Sequence, residues 1–242
     1  MAYVTAGDPD PRTSEQIILG LAEGGADIIE VGVPFSDPVA DGPVIQRATE
    51  RALAAGMTLS GVLDVVTSVR TKIETPIVLF TYVNPVMRMG ATTFADRARA
   101  AGADGVLMLD YPLEEAEPIR TVLIEADLDP IFLVSPTTTD ERMRRSAELG
   151  RGFLYVISRL GVTGQRDEMA PDAAALVDRL RRQSALPVAI GFGISRPEHV
   201  AAACRSADAA VVGSAIVNLI GQKGPEAPDA VREYVRWLKS AL

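Results

Sequence analysis

Gly25-Ala26-Asp27-Ile28-Ile29-Glu30-Val31-Gly32-Val33-Pro34 is the stretch whose reading decides the fold. A short polar turn feeds a run of aliphatic residues that is apolar on both faces, as a strand inside a parallel sheet requires. The triplet returns as Gly102-Ala103-Asp104 and, altered, as Ser206-Ala207-Asp208, each ahead of another apolar run. Each reads as the same turn between a helix and a strand: a glycine ends the helix in a left-handed conformation, and the polar residues deliver the chain to the next strand.

Outward from that stretch, eight apolar runs read as strands, over 2–5, 28–32, 76–81, 105–109, 130–134, 153–157, 187–191 and 209–213. Between them lie segments of helical period, over 14–23, 59–72, 93–101, 114–126, 140–149, 172–183 and 197–204, with a last helix over 228–242. Alternation of this kind fits either a closed barrel or a doubly wound open sheet. The count of eight favours closure, and 242 residues match the roughly 250 of one β/α barrel. After strand one, Ala6-Gly7-Asp8-Pro9-Asp10-Pro11 carries prolines in place of a glycine-rich dinucleotide turn. The expected architecture is α/β, a single (β/α)8 TIM-barrel domain over residues 1–242 with little or no helix before strand one. The turn aspartates then lie at the barrel's stability face and are read as structural.

Composition narrows the chemistry. A formal charge of −8 disfavours binding to a nucleic-acid backbone, which needs a field of Lys and Arg. Cys204 is the only cysteine, so an intrachain disulfide cannot form, and a cytoplasmic location is expected. No apolar run reaches the length of a membrane span and no export signal is visible at Met1-Ala2-Tyr3, so no membrane association is expected. His199 is the only histidine, which argues against a histidine-based metal site or a Ser-His-Asp triad. Neither metal nor cofactor is expected.

The carboxylates carry the signal instead. By period-two alternation Ile29, Val31 and Val33 face the helices, while Ile28, Glu30 and Gly32 face the barrel interior. Glu30 then sits near the C-terminal mouth, where barrel enzymes keep their reactive groups, and an apolar setting should raise its pKa. It reads as a proton donor and acceptor; the alternative is a structural pair with an arginine. The proline-stiffened loop 34–43 brings Asp41 back over the mouth as a second candidate, with capping of a helix that begins near Pro43 as its other reading. Glycines at late strand ends form another group: Gly161 and Gly164, Gly191 and Gly193, and Gly213 beside Ser214. Backbone amides approach a phosphate closely where no Cβ intervenes, and a short helix opening at Ser214 would aim its positive end at the anion. The polar, glycine-bearing segment 158–168 is long for such a loop and reads either as a mobile lid or as a static surface loop.

The motifs Val4-Thr5-Ala6-Gly7-Asp8-Pro9, Glu30 to Pro38, Ala40-Asp41-Gly42-Pro43 and Gly161-Val162-Thr163-Gly164 resemble signatures of the tryptophan synthase alpha family. Gly191-Phe192-Gly193-Ile194 and Gly213-Ser214-Ala215-Ile216-Val217 extend the resemblance over essentially the whole chain. The long motif around Glu30 is specific, whereas glycine pairs are shared with other phosphate-binding barrels. The resemblance implies cofactor-free retro-aldol cleavage of indole-3-glycerol phosphate to indole and glyceraldehyde 3-phosphate. It makes Glu30 the acid and base, Asp41 the acceptor for the indole N–H, and Tyr155 a tyrosine beside them. Gly164, Gly193, Gly213 and Ser214 would hold the phosphate, Arg159 and Thr163 belong to the lid, and Tyr3, Tyr82, Leu107 and Phe192 line an indole pocket. It also implies a pyridoxal phosphate-dependent beta subunit as partner in an alpha2beta2 assembly. Pro34, Phe35 and Asp37 would face that partner, and pyridoxal phosphate would not bind this chain.

The N-terminus departs from the family pattern, in which residues often including a helix precede strand one; a shortened chain and a minimal barrel are the two explanations. Other functions stay open at this point. They are a free-standing lyase, a non-catalytic ligand-binding partner, and a phosphate-sugar isomerase on the same barrel.

Overall fold

The computed structural model describes residues 1–157, 173–191 and 193–242. Its eight strands are β1 (Ala2–Thr5), β2 (Ile29–Gly32), β3 (Ile77–Thr81), β4 (Gly105–Met108), β5 (Asp129–Val134), β6 (Leu154–Ile157), β7 (Val188–Gly191) and β8 (Ala209–Val211). Each pairs parallel with the next in chain order. The ring closes where Tyr3 N donates to Val212 O and Val212 N to Met1 O, each at 3.0 Å. This closure rejects the open-sheet alternative.

The helices are α1 (Pro11–Glu23), α2 (Pro43–Ala54), α3 (Leu59–Arg70), α4 (Val83–Met89), α5 (Ala91–Ala101), α6 (Ala116–Glu125), α7 (Asp140–Leu149), α8 (Ala173–Arg181), α9 (Pro197–Cys204), α10 (Ser214–Lys223) and α11 (Ala227–Lys239). Helices α1, α2 and α9 open on prolines, whose missing N–H would be unsatisfied in a first turn anyway. A helix over 83–89 is absent from the sequence reading. Pro85 falls within its seven residues, a signal for a break in longer helices but tolerated inside a first turn.

Two apolar layers follow from strand alternation. Ile29, Val31, Ile77, Leu79 and Val106 pack outward against helix residues such as Ile17, Leu21, Val62 and Val66. Val78, Leu107, Ile131, Phe153, Tyr155, Ala189 and Val211 fill the barrel interior. The expected inward set of strand two therefore holds, with Glu30 among aliphatic and aromatic neighbours.

The turn aspartates tie the barrel's N-terminal end together. Asp104 Oδ2 accepts from Ile77 N at 2.7 Å and from Arg70 Nη2 at 2.6 Å. Asp208 Oδ2 accepts from Val188 N at 2.8 Å and from Arg181 Nη2 at 3.1 Å. Asp27 pairs with Lys239. Each joins a turn to an adjacent strand or helix, which confirms the structural reading of the repeat. An apolar cavity of about 290 Å³ opens at this same end, lined by Met1, Ile28, Val78, Ile131, Phe153 and Ala189. Among the described residues no single helix is long and apolar enough to cross a membrane.

Candidate active site

At the opposite end, β2 holds Glu30 at 1% exposure, with neither carboxyl oxygen hydrogen-bonded to another group among the described residues. The structural alternative required an arginine partner, and none reaches it among the described residues. Burial pushes the Glu30 carboxyl up to about 8, with the Met1 ammonium pulling weakly the other way. At neutral pH this group is mostly protonated.

Asp41 lies 6% exposed at the end of the loop that follows β2. It does not cap α2. Gly42 occupies the cap position without a side-chain bond, and the Asp41 carboxylate turns inward to accept from the Tyr82 hydroxyl at 3.1 Å. The loop is fixed around it: Asp41 N donates to Pro38 O at 3.0 Å, and Gln46 Nε2 donates to Asp41 O at 2.9 Å. Burial raises the Asp41 carboxyl to about 6, and the Tyr82 hydrogen bond opposes that rise. Asp41 is therefore charged near neutrality while Glu30 holds its proton.

The walls of the site are aromatic. Tyr3 meets Phe80 edge-on at 5.1 Å, and Phe80 lies 6.5 Å from Tyr155. A β-carbon on Gly32 would fall 2.3 Å from Tyr3 Oη, and one on Gly191 would fall 2.6 Å from Tyr155 Oη. Only glycine leaves room for those hydroxyls. This revises the reading of Gly191 as part of a phosphate loop, because it sits in β7 making space for Tyr155. Tyr3 Oη lies 3.3 Å from Thr5 Oγ1. Burial raises the Tyr3 phenol well above its ordinary range, and the charges of Asp41 and Glu30 add to the shift. Burial, then Glu30, does the same to Tyr155.

The remaining candidates divide. Leu107 is fully buried in the interior layer beside Val78, Ile131 and Tyr155. Gly213 precedes α10, with Ser214 as its first residue, so the helix N-terminus lies just past β8. The first amides of a helix lack intrahelical acceptors and remain available to an anion. Gly193 takes φ of 45°, a left-handed conformation that favours glycine. Of the partner-facing set, Pro34 is buried, Phe35 is half-buried against Tyr82 with ring centroids 5.3 Å apart, and Asp37 is exposed. The neighbouring Val39 is 69% exposed. Arg159, Thr163, Gly164 and Phe192 lie outside the described residues. Among the described residues, no group of three or more His, Cys, Asp or Glu is arranged to hold a metal ion.

Sequence reasoning missed Phe80, Thr5 and Gln46. Phe80 had a signal, since alternation along β3 puts Val78 and Phe80 on the inner face. Gln46 had none, because its bond to Asp41 depends on how the loop enters α2.

A family model described as tryptophan synthase alpha chain matches residues 1–240. The tryptophan synthase alpha chain of Solibacter usitatus is 48% identical over 227 residues, covering 94% of this chain and 85% of that protein. That of Methanoregula boonei is 48% identical over 246 aligned positions, covering 100% of this chain and 92% of its own length. Among solved structures, a mutant tryptophan synthase alpha-subunit from the hyperthermophile Pyrococcus furiosus superposes with a TM-score of 0.93 at 39% identity, covering 99% of this chain and 96% of that one. A chain from a study of mutual activation in the tryptophan synthase alpha2beta2 complex of the same organism superposes at 0.92, with the same identity and coverage. Sequence and fold agree over nearly the full length, and this chain belongs to the tryptophan synthase alpha chain family.

Proposed function

We propose that Glu30 and Asp41 carry the family's alpha reaction in this chain, the cofactor-free cleavage of indole-3-glycerol phosphate to indole and glyceraldehyde 3-phosphate. The observation that carries this reading is Glu30 itself, a buried carboxyl whose two oxygens have no partner among the described residues. Such a group is costly to keep unless a ligand uses it.

Cleavage breaks the bond between indole C3 and the glycerol side chain. C3 must gain a proton, the adjacent side-chain hydroxyl must lose one, the electrons of its O–H bond become the aldehyde carbonyl, and the electrons of the broken carbon–carbon bond return to the ring to leave neutral indole. One neutral carboxyl can give the first proton and take back the second, ending in its starting state. Glu30, with its carboxyl near 8, is protonated as that step begins. Protonation of C3 leaves positive charge on the ring, and the Asp41 carboxylate, accepting the indole N–H, would stabilise it. The two groups need opposite protonation states, so activity spans the window from about 6, where Asp41 ionises, to about 8, where Glu30 does.

Gly193, Gly213, Ser214 and the N-terminus of α10 support phosphate binding across the mouth. Gly164, with the lid residues Arg159 and Thr163, belongs to the same proposal, as does Phe192 beside Tyr3, Tyr82 and Leu107 in the indole pocket. Tyr155 stands next to Glu30 as a wall and hydroxyl. On the same reading residues 1–242 act as one unit in the cytoplasm, and a beta subunit docks over Phe35, Asp37 and Val39. The alpha2beta2 complex of the Pyrococcus furiosus relative supports that partner.

The test is indole release from indole-3-glycerol phosphate, with and without a beta subunit. Glu30→Gln should lower kcat by at least about a hundredfold. Asp41→Asn should lower kcat while leaving KM within about threefold, as loss of charge stabilisation in the transition state requires. Undiminished cleavage by the Glu30 variant would remove it from the acid-base role.

A further inference from the structure

We infer that Tyr82 is a positioning residue for Asp41, acting through its hydroxyl, and not only an apolar wall for the ligand. The inference rests on the reading of Asp41 given above. Tyr82 follows β3 directly and is 2% exposed. Its backbone is anchored where the chain enters α4, since Val83 N donates to Asp110 Oδ1 at 2.7 Å. Its hydroxyl makes two bonds to the loop from β2: it accepts from Ala40 N at 3.1 Å and donates to Asp41 Oδ2 at 3.1 Å.

The pairing is directional. A phenol has one proton, and the Ala40 N–H occupies its acceptor side, so that proton is directed at the carboxylate. Oδ2 is thereby committed, and among the described residues no hydrogen bond to Oδ1 is found, so Oδ1 is the oxygen placed to take a ligand N–H. Burial and the Asp41 charge hold the Tyr82 phenol far above its ordinary range, so it remains a donor throughout the working window. The ring is held in turn by Phe35, tilted by 36° at 5.3 Å. A wall needs only the ring; the hydroxyl is what links a rigid strand end to a carboxylate on a loop.

Tyr82→Phe keeps the ring and removes the link. In the indole-release assay with beta subunit present, kcat is expected to fall about tenfold, as for loss of a hydrogen bond to a charged group, with KM within about twofold. The acid limb of the kcat profile should move to higher pH, because Asp41 loses a donor that favours its charged form. In an Asp41→Asn background the same substitution should cost less than about twofold, since the carboxylate it serves is gone. A kcat within twofold of wild type, or a full tenfold loss retained beside Asp41→Asn, overturns the positioning role. Wild-type turnover by Asp41→Asn alone instead overturns the role of Asp41, and the inference falls with it.

Discussion

A carboxyl buried without a partner costs stability, and at Glu30 that cost depends on pH. Its folded pKa of about 8 lies above the ordinary 4.5, so the folded state binds a proton that the unfolded chain has released. The group is neutral in both states below about pH 4.5, where the pH-dependent part of the cost vanishes. Stability is then lost as pH rises from the ordinary value towards the folded one, by roughly 3 kcal/mol at pH 7, and the loss levels off above the folded value. Glu30→Gln removes the titration. Its melting temperature should match wild type at pH 4, exceed it by several degrees at pH 7, and exceed it further at pH 9. A difference independent of pH would count against an uncompensated carboxyl. The inward aim of this side chain was legible from alternation alone. That Asp41 turns to Tyr82 was not, because the two residues are 41 positions apart and meet only after the loop folds back.

The elements were legible to within about two residues at most boundaries, since strand and helix periods differ and the αβ turns repeat. What was not legible is how the repeated aspartates serve that architecture. Asp104 spans three elements, taking the first N–H of β3, the guanidinium of α3 and its own turn before β4. Its ion pair is partly exposed and contributes little, but the bond to Ile77 N is worth about 1 kcal/mol. Asp104→Ala should lower the denaturant midpoint accordingly while leaving kcat and KM unchanged, because the turn sits at the end of the barrel remote from the carboxylates. A change in kcat comparable to that of Asp41→Asn would mean that the two ends are not independent. Helix α4 shows the converse: a proline that marks a stop in a long helix is harmless in a helix of seven residues.

The whole molecule divides its labour along the barrel axis. Ion-paired turns and an apolar cavity lie at one end, carboxylates and a helix N-terminus at the other. An anion held at Gly213 and Ser214 binds only the folded chain, so inorganic phosphate or glycerol phosphate should raise the melting temperature in proportion to the logarithm of its concentration. The gain approaches about 2.7 kcal/mol at a hundredfold excess over Kd. No shift with either anion, or an equal shift with sulfate and phosphate after Gly213→Asp, would count against a site there. Across that mouth the acidic groups stand over β2 and β3, and the proposed anion cradle over β7 and β8. A molecule must reach both to be gripped at both, so the site works as a ruler. On the proposed reading, once the carbon–carbon bond breaks the indole fragment no longer reaches the anion end of the scale, and the act of cleavage loosens its own product.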